Sequence, residues 1–362
     1  MVGSDSPQLR ATLAIQPLPE ATLRVRDVGE FGLLERLQAR VQARGRSKGA
    51  ACQPAGLSLG IGDDAAVWQP SDHAHQVITT DALVQDVHFR FSTTSWRDLG
   101  WKSAAVNVSD LAAMGCHPRS LLVTLGLPAE TLVADLLELY DGMLDLAERY
   151  VLDIVGGDIV SAPVFFLSVT AIGEAVGPLL RRDAGRPGDV LATTGSLGAS
   201  AAGLRLLESG RKLGQGRDDL LLAHLRPRPR VAEGLALVEA GLRCGMDVSD
   251  GLLGDTTHVC ERSGVSAVIE TERVPLSPAL REEFGDAALP LAIAGGEDYE
   301  LLCAGSAEVI ERARRALAAL GTPLTVVGQL RERSPEAPLV QLVDARGRTI
   351  EPGQLSWDHF RG

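Results

Sequence analysis

Residues 60–67 read GIGDDAAV, and this stretch combines two features that conflict with each other. Its glycines and alanine follow the Gly-x-Gly-x-x-Ala pattern, in which a bare backbone wraps the pyrophosphate of a dinucleotide. Two adjacent carboxylates, Asp63 and Asp64, occupy the place where that anion would lie. Two negative charges about 4 Å apart repel by about 4 kcal/mol at an effective dielectric constant of roughly 20. Since no clear strand precedes the glycines either, the stretch argues against a dinucleotide site and points to a bound cation.

Further aspartates lie in apolar or small-residue surroundings along the chain. An unpaired buried carboxylate is costly, so each of them needs hydrogen-bond donors, a basic partner or a cation, and the neighbouring sequence offers no basic partner. Any single one could cap a helix or close an Asx turn. As a set they favour Mg²⁺, or Mn²⁺ in its place, because hard cations take oxygen ligands and Mg²⁺ bridges carboxylates to phosphates. The set comprises Asp64, Asp81, Asp110, Asp158, Asp247 and Asp250.

Composition restricts the class of protein. The 362 residues carry a formal net charge of -12, which disfavours nucleic acid and anionic membranes as partners because both require a basic surface. The five cysteines are scattered and form no CxxC pair or zinc spacing, so they are expected to be reduced. No run of 18 apolar residues and no secretory signal occurs. We therefore expect a cytoplasmic protein.

Strands and helices alternate in both halves of the chain, which predicts an α/β fold (α+β type) with two domains. Residues 1–27 contain three prolines and no steady period, so we expect a flexible extension. A first α/β unit ends near residue 175, and the turn sequence AGRPGD at residues 184–189 marks the boundary to a second.

Two predicted elements carry polar groups of interest. The β-branched segment that begins at Gln76 predicts a strand that ends near Asp81, directly after Thr79 and Thr80. The alanine-rich residues 96–116 predict a helix on which Ser103, Asn107 and Asp110 share one face. We expect this polar stripe to run along an otherwise buried helix.

Common nucleotide-binding signatures are missing from the sequence. It contains no GxxxxGK[ST] phosphate loop and no HRD or DFG motif. Glycine-rich bends occur at residues 155–158 (VGGD), 193–198 (TTGSLG) and 294–301 (AGGEDYEL), but glycine pairs usually mark only turns. His88, Arg182 and Trp357 can equally be a structural histidine, a solvated charge and a packing anchor.

The ordered set GEFGLLERL, GIGDDAAV, TTDALVQDVHF, NVSDLAAMGCHP, VGGD, MDVSDGLLGD, AGGEDYEL and SWDHF resembles the thiamine-monophosphate kinases. The resemblance covers residues 28–362. That family is similar to aminoimidazole ribonucleotide synthetase, selenophosphate synthetase and a hydrogenase maturation protein. The resemblance implies an N-terminal ATP- and Mg-binding domain (residues 28–180) that dimerises through its sheet, and a C-terminal α/β domain (residues 181–362). It also implies an ATP site close to the dimer interface.

The implied reaction transfers the γ-phosphoryl group of ATP directly to thiamine monophosphate, giving thiamine diphosphate and ADP, without a covalent nucleophile. The resemblance assigns several Mg²⁺ ions to Asp64, Thr79, Thr80, Asp81, Asp110, Asp158, Asp247 and Asp250. It assigns ATP contacts to Tyr140, Gly157, Asp158, Arg182 and Ser249. It assigns thiamine monophosphate contacts to His88, Glu297 and Trp357, whose indole can stack on the cationic thiazolium or the pyrimidine.

Two other functions remain possible from the sequence. One is a sister activity, either selenophosphate synthesis or formation of an aminoimidazole ring. Selenophosphate enzymes carry a reactive cysteine or selenocysteine in a glycine-rich loop and hydrogenase maturation proteins end in cysteine, whereas Cys52 lies in a plain loop here and the chain ends in Gly362. The other is a nucleotide-binding scaffold without catalysis, which the complete acidic set disfavours.

Overall fold

The computed structural model describes residues 22–47, 57–59, 61, 67–210 and 217–351. Of the opening stretch GIGDDAAV, this range includes Ile61 and Val67. The predictions for Asp64 and Trp357 therefore lie outside the described residues. No helix within these ranges is long and apolar enough to cross a membrane.

The first half of the described chain is built around one four-stranded sheet and three helices, with two short strands paired separately. In chain order the elements are α1 (Val25–Ser47), β1 (Leu57–Leu59), β2 (Val67–Trp68), β3 (His75–Val84), α2 (Trp96–Ala113), β4 (His117–Leu127), α3 (Val133–Tyr150), β5 (Asp153–Ser161) and β6 (Phe166–Ala175). The sheet has the order β3-β6-β4-β5. In this sheet only β4 and β5 are parallel neighbours, and the crossover between them is helix α3. Strands β3 and β5 are the two edges of the sheet.

Helices α2 and α3 cover one face of this sheet and form its core with residues such as Leu99, Leu111, Leu139 and Val169. The two helices touch backbone to backbone: a Cβ atom added to Gly100 would lie 1.8 Å from the Leu139 carbonyl oxygen. Small residues are therefore required at this crossing. The alanine-rich composition of α2 follows from its burial on nearly every side.

The extension predicted for residues 1–27 is partly attached to this domain. Leu23 packs against the core, and the amide of Val25 donates to the carbonyl of Thr131 over 3.0 Å. Helix α1 thus starts inside the predicted extension, and Gly29 kinks it at φ 68°. Residues 1–21 lie outside the described ranges.

The second half of the chain forms a larger mixed sheet. Its elements are β7 (Val190–Thr194), α4 (Ala199–Glu208), α5 (Arg217–Leu225), α6 (Val231–Glu239), β8 (Cys244–Asp247), α7 (Leu252–Ser263), β9 (Val265–Glu270), α8 (Pro278–Phe284), α9 (Ala288–Ala294), β10 (Leu301–Gly305), α10 (Ala307–Ala319), β11 (Leu324–Glu332), β12 (Val340–Val343) and β13 (Thr349–Ile350). The strand order is β13-β12-β9-β11-β7-β10-β8. The edge strand β8 packs beside α2, so the acidic ends of β8 and β3 meet at the boundary between the two halves.

Candidate functional site

A cavity of about 520 Å³ opens between the two halves of the molecule, and we call it the acidic cavity. It is lined by the end of β3, one face of α2, the end of β8 and the loop before β10. Its charged and titratable lining residues are Asp81, His88, Asp110, Arg182, His224, Asp247, Asp250, Glu297 and Tyr299. Sequence positions more than 200 residues apart, such as Asp81 and Glu297, therefore share one cavity.

Four of the predicted metal ligands, Asp81, Asp110, Asp247 and Asp250, line this cavity together. Burial, and then the charges of Asp110 and Asp250, raise the pKa of Asp81 to about 6. Burial and the charge of Asp110 raise the pKa of Asp247 to about 7. Burial also raises the pKa of Asp110. The site therefore holds more negative charge than its protein surroundings stabilise, as expected of a site built for cations.

Helix α2 holds these carboxylates in place through side chains on its buried faces. Asn107 accepts the amide hydrogen of Asp81 over 3.0 Å, and Ser109 donates to Asp247 Oδ2 over 2.6 Å. Asp110, on the same helix, accepts a hydrogen bond of 2.5 Å from Thr79 on β3. Ser109, which is not part of the predicted polar stripe, reaches β8, whereas the stripe itself contacts β3 through Asn107 and Asp110. Its third member, Ser103, instead bonds within the helix to the Gly100 carbonyl.

The residues of the acidic cavity fit Mg²⁺ in donor chemistry, since they offer carboxylate and hydroxyl oxygens and no thiolate. Among the described residues, no three acidic, histidine or cysteine side chains come close enough to hold one ion by themselves. Mg²⁺ commonly keeps waters and takes phosphate oxygens from a substrate, so one or two carboxylates for each ion are sufficient.

The acidic cavity is also lined by Glu297 and His88. The ring nitrogen Nδ1 of His88 accepts the amide hydrogen of Val84 over 3.1 Å, which fixes the ring at the end of β3. Glu297 accepts a hydrogen bond of 2.8 Å from Lys102 on α2. Two predicted contacts of thiamine monophosphate therefore lie in the same cavity as the acidic cluster, while the third, Trp357, is outside the described residues.

A second cavity of about 460 Å³ adjoins the first, and we call it the arginine cavity. Arg181, Arg182 and Arg262 line it together with apolar residues that include Val77, Ile78 and Met114. Asp110 and Arg182 border both cavities. The two cavities thus meet at one carboxylate and one guanidinium.

Four predicted site residues lie away from the acidic cavity. Side chains alternate along a strand, so Thr80 faces the side of β3 opposite Asp81. Its hydroxyl lies 3.0 Å from the hydroxyl of Thr170 on β6. Gly157 and Asp158 lie on edge strand β5, which is three interstrand spacings, or about 14 Å, from β3. Tyr140 is buried in the core on α3. Within one chain, these four residues therefore lie away from the carboxylates of the acidic cavity. Their roles stay predictions.

Three residues of the site escaped the sequence prediction: Lys102, Ser109 and His224. Lys102 and Ser109 share one face of α2, and a lysine inside an alanine-rich, almost fully buried helix is the signal that could have revealed Lys102. His224 lines the acidic cavity from α5. Burial, and then the charge of Lys102, lower the pKa of His224 to about 4, so the ring is neutral at neutral pH.

Comparison with known proteins agrees with this architecture. The models of the AIR synthase related proteins match residues 62–175 (N-terminal domain) and residues 186–340 (C-terminal domain). The thiamine-monophosphate kinase of Bacillus subtilis is 35% identical over 314 residues, which cover 84% of this chain and 94% of that protein.

Two solved structures are similar throughout. The thiamine-monophosphate kinase of Stenotrophomonas maltophilia has a TM-score of 0.75 and 38% identity, covering 87% of this chain and 96% of that one. AaThiL complexed with AMPPCP and TMP has a TM-score of 0.70 and 31% identity, covering 92% and 99%. The predicted family and the two-domain α/β fold are thereby confirmed. This chain belongs to the thiamine-monophosphate kinase family of the AIR synthase related proteins.

Proposed function

We propose that this protein transfers the γ-phosphoryl group of ATP to the phosphate of thiamine monophosphate, giving thiamine diphosphate and ADP. The observation that carries the proposal is the convergence of Asp81, Asp110, Asp247 and Asp250 on one cavity. Such a cluster repels two polyanionic substrates unless divalent cations accompany them. The relative AaThiL, complexed with AMPPCP and TMP, supports the same pair of ligands here.

The two adjoining cavities suggest how the substrates divide. We assign the nucleotide to the arginine cavity, because Arg182 and Arg262 are cations that suit phosphates beside apolar surface for a base, while Arg181 is already paired with Asp183. We assign thiamine monophosphate to the side of the acidic cavity lined by His88 and Glu297. The reacting phosphates then meet where the cavities join, beside Asp110 and Arg182. Ser249, Tyr140, Gly157, Asp64 and Trp357 keep their predicted roles as proposals.

The chemistry requires alignment and charge neutralisation more than proton transfer. The second pKa of a phosphate monoester is about 6, so the acceptor oxygen is ionised at neutral pH. The reaction therefore needs no strong base to deprotonate it. Bound Mg²⁺ would neutralise the phosphate oxygens of both substrates. Within the chain, the residues that would hold it are Asp81 on β3, Asp110 on α2, Asp247 on β8 and Asp250 in the loop after β8. Arg182 can stabilise charge that develops on the transferred group, and Glu297 and His88 orient the acceptor.

The direct test is to incubate the purified protein with ATP, Mg²⁺ and one acceptor at a time, and to identify the products by mass spectrometry. Thiamine monophosphate should be converted to thiamine diphosphate with stoichiometric ADP. Selenide and formylglycinamidine ribonucleotide serve as acceptors for the sister activities. Turnover of either of these without turnover of thiamine monophosphate would contradict the proposal, as would ATP binding without any turnover.

A homodimer completes this proposal. The face of the β3-β6-β4-β5 sheet opposite α2 and α3 carries exposed apolar residues, among them Ile78 on β3 and Val160 on β5, which are 63% and 40% exposed. A two-fold axis parallel to the strands would lay β5 of one copy opposite β3 of the other. Asp158 and Gly157 would then approach the acidic cluster of the partner. This arrangement explains why the predicted ligands of one chain divide between opposite edges of one sheet.

If this sheet face is buried in a dimer, a charged residue introduced on it should break the dimer. Val160→Asp should convert the dimer to monomer, because a carboxylate buried in an interface is desolvated without a partner. Light scattering coupled to size-exclusion chromatography gives the mass, and circular dichroism checks folding. Leu222→Asp is the matched control, since Leu222 on α5 is 51% exposed and lies away from the sheet. A wild-type protein that runs as a monomer at all concentrations would refute the dimer.

Domain limits and location also stay proposals. The chain leaves the first sheet at Ala175, and Arg181 already pairs with Cys244 beside the second sheet, which supports a boundary near residue 180. Free buried thiols at Cys116, Cys244, Cys260 and Cys303 suit a reducing compartment, and we assign the enzyme to the cytoplasm.

A further inference from the structure

Lys102 is a deeply buried lysine beside the acidic cavity. It lies in the middle of α2 and only 2% of its side chain is exposed. Its ammonium donates to Glu297 Oε2 over 2.8 Å, so it joins the two halves of the molecule. A lysine at this depth is costly unless a carboxylate pairs with it, and pairs of this kind are often retained for function more than for stability.

Glu297, its partner, is held in an unusual conformation. Its φ of 66° lies in the left-handed region, which residues with a side chain rarely adopt. The loop is locked on both sides: the Glu297 amide donates to the Ser249 carbonyl over 2.7 Å, and Asp298 Oδ2 accepts the amide hydrogen of Gly198 over 2.6 Å. Such strain persists where the surroundings impose it, commonly at ligand sites.

The charged contacts of Glu297 converge on one of its oxygens. Lys102 Nζ and, at 3.4 Å, His224 Nδ1 both lie next to Oε2. Among the described residues no hydrogen bond reaches Oε1, and 31% of the side chain stays exposed at the cavity. Burial alone would raise the pKa of Glu297, but the charge of Lys102 and the hydrogen bond that it donates outweigh burial and lower that pKa. The group is therefore a carboxylate with one oxygen committed to the protein.

We propose that Lys102 is a positioning residue for acceptor recognition, which orients the Glu297 carboxylate so that its second oxygen accepts a hydrogen bond from the amine on the pyrimidine ring of the acceptor. This inference rests on the proposed function. Lys102 does not line the acidic cavity, and its buried ammonium is occupied by Glu297, so it acts through Glu297 and not by binding a phosphate.

A second ion pair between the two halves of the chain provides a control that distinguishes acceptor recognition by Lys102 from a purely structural role. Arg90, which follows β3, contacts Glu208 on α4 over 2.9 Å, and both side chains are exposed. Like Lys102 and Glu297, these residues join the first half of the chain to the second. Arg90→Met therefore removes an interdomain cation without touching the cavity, and it should leave every ligand affinity unchanged.

The test measures affinities by isothermal titration calorimetry in the full-length protein. Lys102→Met should weaken the binding of thiamine monophosphate between about tenfold and about 100-fold, the range for losing a hydrogen bond to a charged group. The affinity for AMPPCP with Mg²⁺ should not change. Lys102→Arg, which keeps a cation next to Glu297, should recover part of the loss. If Lys102→Met does not fold, the Lys102→Arg and Lys102→Gln variants provide the same comparison.

A double-mutant cycle decides whether Lys102 acts through Glu297. In a Glu297→Gln background, the further change Lys102→Met should cost little additional affinity for thiamine monophosphate. A full additional loss, or an equal loss for both ligands, would overturn the inference. If the wild-type protein neither binds nor phosphorylates thiamine monophosphate, the proposed function itself fails. If it does both and Lys102→Met has normal affinity, only the role of Lys102 fails.

Discussion

Asp81→Asn should lower the rate of thiamine diphosphate formation by at least about 100-fold and, at the same time, raise the melting temperature of the metal-free protein. The first effect follows because Asp81 lies at the centre of the acidic cavity, among the carboxylates that would hold Mg²⁺. The second follows because its burial and the charges of Asp110 and Asp250 disfavour the ionised form. An amide of the same shape removes that repulsion.

The stabilisation should depend on pH in a defined direction. The pKa of Asp81 is about 6 in the folded chain, compared with an ordinary aspartate pKa of 3.8. A raised pKa means that the folded state binds the proton more tightly, so this residue costs stability as the pH rises through the interval between the two values. The advantage of Asp81→Asn should therefore be greatest above about pH 7 and should disappear below about pH 4.

Calorimetric melting in EDTA and a chromatographic assay of thiamine diphosphate measure the two effects. Asp72→Asn serves as the control, since Asp72 is an exposed aspartate in the turn before β3 and should change neither quantity. A destabilised but active Asp81→Asn variant would remove the reason for assigning the cluster to cations.

Much of the fold could be predicted from local sequence. The β-branched segment before Asp81 forms β3, although the strand continues to Val84 instead of ending at the aspartate. The alanine-rich segment forms α2 from Trp96 to Ala113. These elements are recognisable because strand and helix periodicities are local properties. The short helices α8 and α9 and the strands β12 and β13 carry too few residues for a clear period, and they were missed.

The candidate site was less predictable, because it depends on the order of the strands. Asp81 and Asp247 meet because β8 is the edge strand beside α2, which no nearby residue indicates. Thr79 and Thr80 are neighbours in sequence yet face opposite sides of β3, so they serve different surroundings. Lys102 was missed because its partner Glu297 is 195 residues away. Residue types indicated the chemistry, but only the packing of both halves indicates which side chains cooperate.

Two inactive variants should restore activity to each other when they are mixed. Asp81→Asn removes a proposed ligand on β3, and Asp158→Asn removes a proposed ligand on β5, at the opposite edge of the same sheet. If β5 of each subunit completes the acidic cavity of its partner, a mixed dimer has one cavity with both defects and one with neither. Random exchange of subunits gives half mixed dimers, so the mixture should reach about one quarter of wild-type activity.

The exchange is carried out by mixing the two purified variants under conditions that dissociate the dimer, and the assay is thiamine diphosphate formation before and after mixing. Asp81→Asn mixed with Asp110→Asn is the control, because both residues line the same cavity of one chain, so every cavity in a mixed dimer keeps one defect. Recovery in the first mixture and not in the second requires a site shared between subunits. If neither mixture recovers activity although the subunits have exchanged, Asp158 acts within its own chain or has no role in catalysis. A role within its own chain would conflict with a common metal cluster, because strands β3 and β5 lie about 14 Å apart.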